Sequence, residues 1–240
     1  MNPPHDVSPQ DAPRWGLAGL KFGVTHTLGL LPGSAVFGMA FGTVAAQKGL
    51  TFAEAVTMSA FVFSGAAQLV AMEIWSNPVT VGTILTLAAA ATVVGLRMLL
   101  MGATLRPWLG GLPPIQIYPA LLLNTDSTWL IATRYREEGG NDASVLLGAG
   151  LSLWVVWVAS TIAGYVLGNL IANPERYGLD LILPIFFVAM LVPLWRGPRR
   201  AIPWAVAGAV ALAMHYFVPG YWYVFAGALA GSLAGGFIDE

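Results

Sequence analysis

Cysteine is absent from the 240-residue chain. That excludes disulfide frameworks, thiolate metal sites and cysteine nucleophiles. Charge is almost as scarce. Only 10% of residues are Asp, Glu, Lys or Arg, divided into 12 acidic and 11 basic, where a soluble domain carries about 25%. So few charges cannot cover a water-facing surface, and a pI near 6.3 shows no strong field of either sign. Disorder, nucleic-acid binding and an ordinary soluble enzyme are therefore excluded. Enzyme signatures are missing too: there is no HExxH, no GxSxG and no GxxxxGK[ST], so the usual zinc-protease, serine-hydrolase and nucleotide-hydrolysis readings lack their motifs. An intramembrane aspartate dyad needs two deep aspartates, and only Asp126 qualifies. A hydrolase pairing Ser64 with His215 is supported by residue type alone. No metal or cofactor is expected.

What is present is apolar. Hydrophobic residues make up 57% and the mean hydropathy is +0.71. A helical membrane span needs about 20 apolar residues. The apolar stretches lie near 20–46, 53–75, 79–102, 114–133, 144–171, 179–195, 201–217 and 221–237. They predict an all-α polytopic transmembrane bundle of about eight spans, with seven as an alternative because the last three are short. Runs such as LTLAAAATVVGL do not alternate in polarity, so they are helices rather than barrel strands. Residues 1–16, with Pro3, Pro4, Pro9 and Pro13, are expected to be a flexible cytoplasmic tail, and 17–240 the transmembrane domain. The tail has no basic region leading into an apolar one and so does not read as a cleavable signal.

Basic residues set the orientation. With eight spans, Arg14, Lys21, Arg134, Arg136, Arg196, Arg199 and Arg200 fall on the amino-terminal side, and Lys48, Arg106 and Arg176 on the other. That asymmetry predicts a cytoplasmic amino terminus. Trp15, Trp75, Trp108, Trp195, Trp204 and Trp222 fall at span ends, where indoles favour the headgroup level. Trp129, Trp154 and Trp157 fall inside spans, as packing or as walls of an apolar pocket. Glycines at four-residue spacing (Gly19/Gly23, Gly29/Gly33, Gly38/Gly42, Gly164/Gly168, Gly227/Gly231/Gly235) let helix backbones approach closely.

An ionisable group inside a bilayer needs a reason. The deepest is Asp126, within Asn124-Thr125-Asp126-Ser127-Thr128. Five consecutive polar residues point all round a helix, so this segment is either enclosed by protein or locally unwound beside a cavity. Arg97 stands short of the end of its span. It either snorkels outward, pairs with Asp126, or meets a substrate carboxylate through its forked donors. Thr57, Ser64 and Gln68 lie on a narrow, mildly polar stripe that suits close packing or a substrate-lining face. Pro32 and Gly33 predict a kink or break in the first span, of the sort transporters use to aim freed backbone groups at a ligand.

These segments resemble the AzlC family of branched-chain amino-acid permeases. The resemblance runs over about 17–237 and is carried by LPGSAVFGMAFG at 31–42, FSGAAQLVA at 63–71, GLRMLLMGATLRPWL at 95–109, LLLNTDSTWLIA at 121–132, SLWVVWVASTIAG at 152–164 and LPIFFVAMLVP at 183–193. It implies a secondary exporter of valine, leucine and isoleucine in the cell inner membrane. It also implies a small AzlD-type membrane partner of about four spans. Ser64, Gln68, Arg97 and Asp126 fall on the family's patterned polar positions. Met98 stands where the family often has histidine, and Ser127 where it often has glutamate, so two titratable groups are missing. The expected site is Pro32, Gly33, Ser64, Gln68, Arg97, Asn124, Asp126 and Trp157. The substrate carboxylate is expected at Arg97 or at helix-end amides freed by the Pro32–Gly33 break, and its ammonium at Asp126 and Asn124. Its aliphatic chain is expected on Trp157, and Asp126 exchanges a proton for the ammonium. The other class of reading is a non-transporting membrane scaffold or sensor whose polar run only joins helices.

Overall fold

The structure is a computed structural model that describes residues 13–75, 80–170, 188, 192, 195, 197–198, 201–217 and 222–238. The expected span at 179–195 with its Pro184, and the arginines at 176, 196, 199 and 200, lie outside the described residues, isolated positions such as Trp195 aside. The chain divides into two compact units, residues 1–180 and 181–240. Among the described residues both are helical, with a lone backbone bridge between Arg14 and Asp142. The protein is an all-α membrane helix bundle, and three of its helical stretches (Leu17–Gln47, Val81–Leu109 and Ser144–Leu170) are long and apolar enough to cross a membrane.

The first unit is organised on a glycine seam. Helix α1 (Leu17–Thr27) passes through a tight turn at Leu28–Leu30 into α2 (Leu31–Gln47), and both lie along α8 (Ser144–Leu170). An added Cβ on Gly23 would strike the Val145 and Ala149 backbone, and one on Gly42 the Thr161 and Tyr165 backbone. From the other side, Gly148 faces the Leu20 backbone and Gly164 that of Met39. In a bilayer, where apolar burial does not drive association, such contact gains dispersion and polar attraction across the interface. Thr43 accordingly donates to the Gly164 carbonyl at 3.1 Å, and Thr27 shares a 2.6 Å hydrogen bond with Ser152.

The seam is fastened at one end by Asp142. Gly16 is the N-cap of α1 and has no side chain with which to cap it. Asp142 supplies the missing acceptor from a distance, taking the N–H groups of Gly16 at 3.0 Å and Gly19 at 2.8 Å. It also takes the Ser144 hydroxyl at 2.7 Å. Residues 14–16, the end of the expected flexible tail, are thus pinned to the loop before α8, with Arg14 donating to the Asn141 carbonyl at 2.8 Å.

Four shorter helices surround the seam: α3 (Phe52–Val62), α4 (Gly65–Ile74), α6 (Pro114–Leu122) and α7 (Asp126–Glu137). The long α5 (Val81–Leu109) starts at Thr80, whose hydroxyl accepts from the Thr83 N–H. Its outer face, with Ile84, Leu85, Leu96, Leu99 and Leu100, is bare and apolar. In the second unit, α9 (Ile202–Phe217) and α10 (Trp222–Ile238) pair through Gly227 and Gly231 against Ala207, Ala211 and Pro203.

Two outcomes follow. Gly164→Val drives a branched side chain into the Met39 backbone, which cannot yield, so a loss of about 3 kcal/mol or more is expected. Gly33→Ala, where a Cβ meets nothing within 4 Å, leaves stability unchanged. Thermal melting of the detergent-solubilised chain separates them. The second outcome concerns Asp142. Burial alone raises its pKa, but the hydrogen bonds from Ser144, Gly19 and Gly16 together hold it below its ordinary value. A carboxylate lowered by folding stabilises the fold at any pH above the ordinary carboxylate range and loses that contribution as pH falls through the lowered value. Asp142→Asn costs about 1 kcal/mol at neutral pH, the scale of a lost helix cap, and flattens the acid limb of the stability profile.

Candidate functional site

Two of the expected spans are not single helices. The stretch expected at 53–75 is α3 and α4 in series, separated at Phe63 and Ser64. Phe63 has φ 27° and ψ 48°, a left-handed conformation unfavourable for an aromatic residue and found chiefly where surrounding structure enforces it. Ser64 is extended and becomes the N-cap of α4, yet its hydroxyl caps nothing. The stretch expected at 114–133 is α6 and α7, separated at Leu123–Thr125. Pro119 removes a backbone donor inside α6. Thr125 then restarts the helix through a reciprocal capping box with Thr128. The polar run is therefore unwound at its start, and Asp126 opens α7.

Both breaks meet on α8. Phe63 from the first and Leu123 from the second pack with Leu153, Trp154 and Trp157, and Leu31 and Phe37 of α2 complete the cluster. The two indoles of α8 straddle the α3–α4 break. The Trp154 N–H reaches the Ala60 carbonyl at 2.9 Å, one of the acceptors left over at the end of α3. The Trp157 N–H reaches Gln68 Oε1 at 3.0 Å, one turn into α4. Gly65 lets the indole seat there, since a Cβ would come within 2.7 Å of its ring. On the other break, Asn124 is 7% exposed and its Oδ1 accepts from the Thr128 hydroxyl at 3.1 Å.

Arg97 and Asp126 form an ion pair of 2.9 Å between α5 and the first turn of α7. Their side chains are 46% and 49% exposed, so the pair opens outward on one side. The first turn of α7 favours the carboxylate through the helix dipole. Beside it, Trp129 of α7 donates to the Thr104 hydroxyl of α5 at 2.8 Å, a second polar tie between these helices.

Ser64, Gln68, Asn124 and Trp157 are thus gathered around the two breaks, with the Arg97–Asp126 pair at the start of α7. Pro32 and Gly33 are placed differently. The backbone runs on as helix through them, because Pro32 lies in the first turn of α2, where its missing N–H costs no bond. The expected break is only the tight turn at Leu28–Leu30. Both residues are exposed. The break at Phe63–Ser64 was not expected. Its available signal was the Ser64–Gly65 dipeptide, a turn former inside an otherwise apolar run.

A family model described as AzlC protein matches residues 29–171. The chain belongs to the AzlC family. The match covers α2 through α8 and with them every residue of the candidate site. An uncharacterized membrane protein of Helicobacter pylori strain J99 is 24% identical over 185 residues, 75% of this chain and 77% of its own length. Another uncharacterized membrane protein, of Archaeoglobus fulgidus, is 28% identical over 204 residues, 83% of this chain and 86% of the relative. No solved structure matches.

Trp157→Phe keeps the ring and removes the donor, leaving Gln68 with neither carboxamide atom bonded. An unsatisfied buried polar group costs about 1–3 kcal/mol, so the expected result is a lower melting temperature with unchanged membrane insertion.

Proposed function

We propose that this AzlC-family chain is the large subunit of a secondary exporter of branched-chain amino acids (valine, leucine and isoleucine). It works by proton antiport in the cell inner membrane, with its amino terminus cytoplasmic and a small AzlD-type four-span partner. The observation that carries the reading is the Arg97–Asp126 pair at 2.9 Å beside two broken helices that meet on an apolar, tryptophan-walled cluster. Broken helices at such a cluster free backbone groups toward a ligand. The opposed charges match the two ends of a zwitterion, and the apolar wall matches an aliphatic side chain.

In the proposed cycle the substrate ammonium replaces the Arg97 guanidinium at Asp126, with Asn124 two residues before it as a second acceptor. The aliphatic chain lies on Trp157. Arg97, once displaced, and amides at a helix end are the two kinds of receptor for the carboxylate. A proton arriving at Asp126 from outside cancels the charge that holds the ammonium, so the substrate leaves an outward-open site as the proton enters. Met98 and Ser127 carry no proton of their own, which leaves Asp126 to do the coupling.

The test is efflux from preloaded cells across a panel of amino acids, with and without the small partner co-expressed. Leucine, isoleucine and valine efflux is expected, and Asp126→Asn, nearly isosteric, lowers it about a hundredfold, the lower end of the range for a group that moves a proton. Equal amounts of wild type and variant in the membrane make the comparison valid. Undiminished efflux from Asp126→Asn defeats the carboxylate mechanism, and no flux of any amino acid from the wild type favours the scaffold reading.

A further inference from the structure

The site contains one buried group with nothing to bond. Gln68 is 0% exposed, and its Nε2 has no hydrogen-bond partner among the described residues. Which way the carboxamide faces is not arbitrary. The indole N–H of Trp157 can only donate, so the atom it meets at 3.0 Å must be the carbonyl oxygen. Nε2 is left with two N–H donors and no acceptor. Buried polar groups are nearly always satisfied, and an exception calls for a reason.

The position of those donors supplies one. A helical side chain leans back over the turn before it, so the Gln68 carboxamide lies over the first turn of α4. Trp157 confirms the placement, since the same ring that bonds Gln68 also packs against Gly65. That turn has its own surplus of donors. The Gln68 N–H is bonded to the Ser64 carbonyl, which begins the helical ladder and leaves the amides of Gly65, Ala66 and Ala67 before it. Ser64 does not cap them with its side chain, in contrast to Thr51, Thr80 and Thr125, which do cap α3, α5 and α7. The positive end of the helix dipole adds to the same effect. Each of these groups is a donor or a partial positive charge, so the complementary ligand is an anion with two acceptor oxygens.

We propose that the first turn of α4, with Gln68 Nε2, is the carboxylate receptor of the transported amino acid. The proposal rests on the transport reading and sharpens it. The two ends of the zwitterion then go to different breaks: the carboxylate to the α3–α4 break, the ammonium to Asp126 at the α6–α7 break, with the Trp157 cluster bordering both. Arg97 remains the counter-ion of Asp126 in the empty site.

The experiment uses proteoliposomes holding the same preparation that shows efflux, loaded with tritiated leucine. Leucine and isoamylamine serve as competitors; the amine keeps the ammonium and the aliphatic chain and lacks the carboxylate. In the wild type, isoamylamine competes at least about tenfold more weakly than leucine, a modest factor for charge-assisted hydrogen bonds. Gln68→Glu keeps an acceptor for Trp157 and replaces the free donors with negative charge. It is expected to abolish the advantage of leucine over isoamylamine while leaving amine competition intact, whereas a purely structural role weakens both alike. Retained leucine preference in Gln68→Glu overturns the receptor and leaves the transport reading standing. If that variant does not insert, the wild type decides alone: isoamylamine competing as well as leucine overturns the proposal. A wild type that moves no amino acid overturns both readings.

Discussion

Two indole N–H groups on one helix hold this fold in the form that makes a site. Trp154 and Trp157 stand nearly one turn apart on α8 and bond either side of the α3–α4 interruption, at Ala60 and Gln68. An interrupted helix in a bilayer leaves backbone groups that water cannot reach, and each unpaired one costs several kcal/mol. Trp154 takes up part of that deficit at the Ala60 carbonyl and Trp157 ties the far side through the Gln68 side chain; both pack with the strained Phe63 and thereby keep the interruption in one place. A leucine at either position packs as well and holds nothing.

The indoles are themselves fixed by the glycine seam. Helix α8 lies so close to α1 and α2 that backbone meets backbone at Gly23, Gly42, Gly148 and Gly164. This contact sets the rotation of α8, and rotation decides which of its residues face the breaks. Asp142 secures the register by capping α1 from the loop that leads into α8. A chain of dependence thus runs from an acidic residue at the end of the bundle, through side-chain-free contact, to two tryptophans near the middle.

Much of this was legible in the sequence. Apolar runs located the described helical regions, although the third ends at Leu109 rather than near 102 and two expected spans are each a pair of helices; the glycine spacing marked the seam. The concentration of polarity at 124–128 left enclosure by protein or local unwinding as alternatives, and the helix is interrupted at Leu123–Thr125. The Arg97–Asp126 pair was among the alternatives for Arg97 and is present at 2.9 Å. Pro32 marked an irregularity that lies one turn earlier: its ring crowds the carbonyl four residues back, and the helix tightens at Leu28–Leu30 instead of opening. The α3–α4 break had only the Ser64–Gly65 dipeptide as a local signal, a weak one inside so apolar a run. It arises from tertiary contacts with α8, which no local window contains. The orphaned Nε2 of Gln68 was likewise invisible, since only the direction of the Trp157 donor reveals it.

The glycine seam also bears on how such a molecule can move. Backbones that interlock at van der Waals distance resist sliding, because each glycine sits in a notch and displacement along the axis brings the next residue's Cβ against it. Helices α1, α2 and α8 therefore behave as one block. The interruptions at Phe63–Ser64 and Leu123–Thr125 are places where a half-helix can swing with few helical hydrogen bonds to lose. Any change of access on either side of the candidate site is then a pivoting of short segments against a stationary frame, and the residues proposed to grip a ligand sit in the first turns just beyond the hinges.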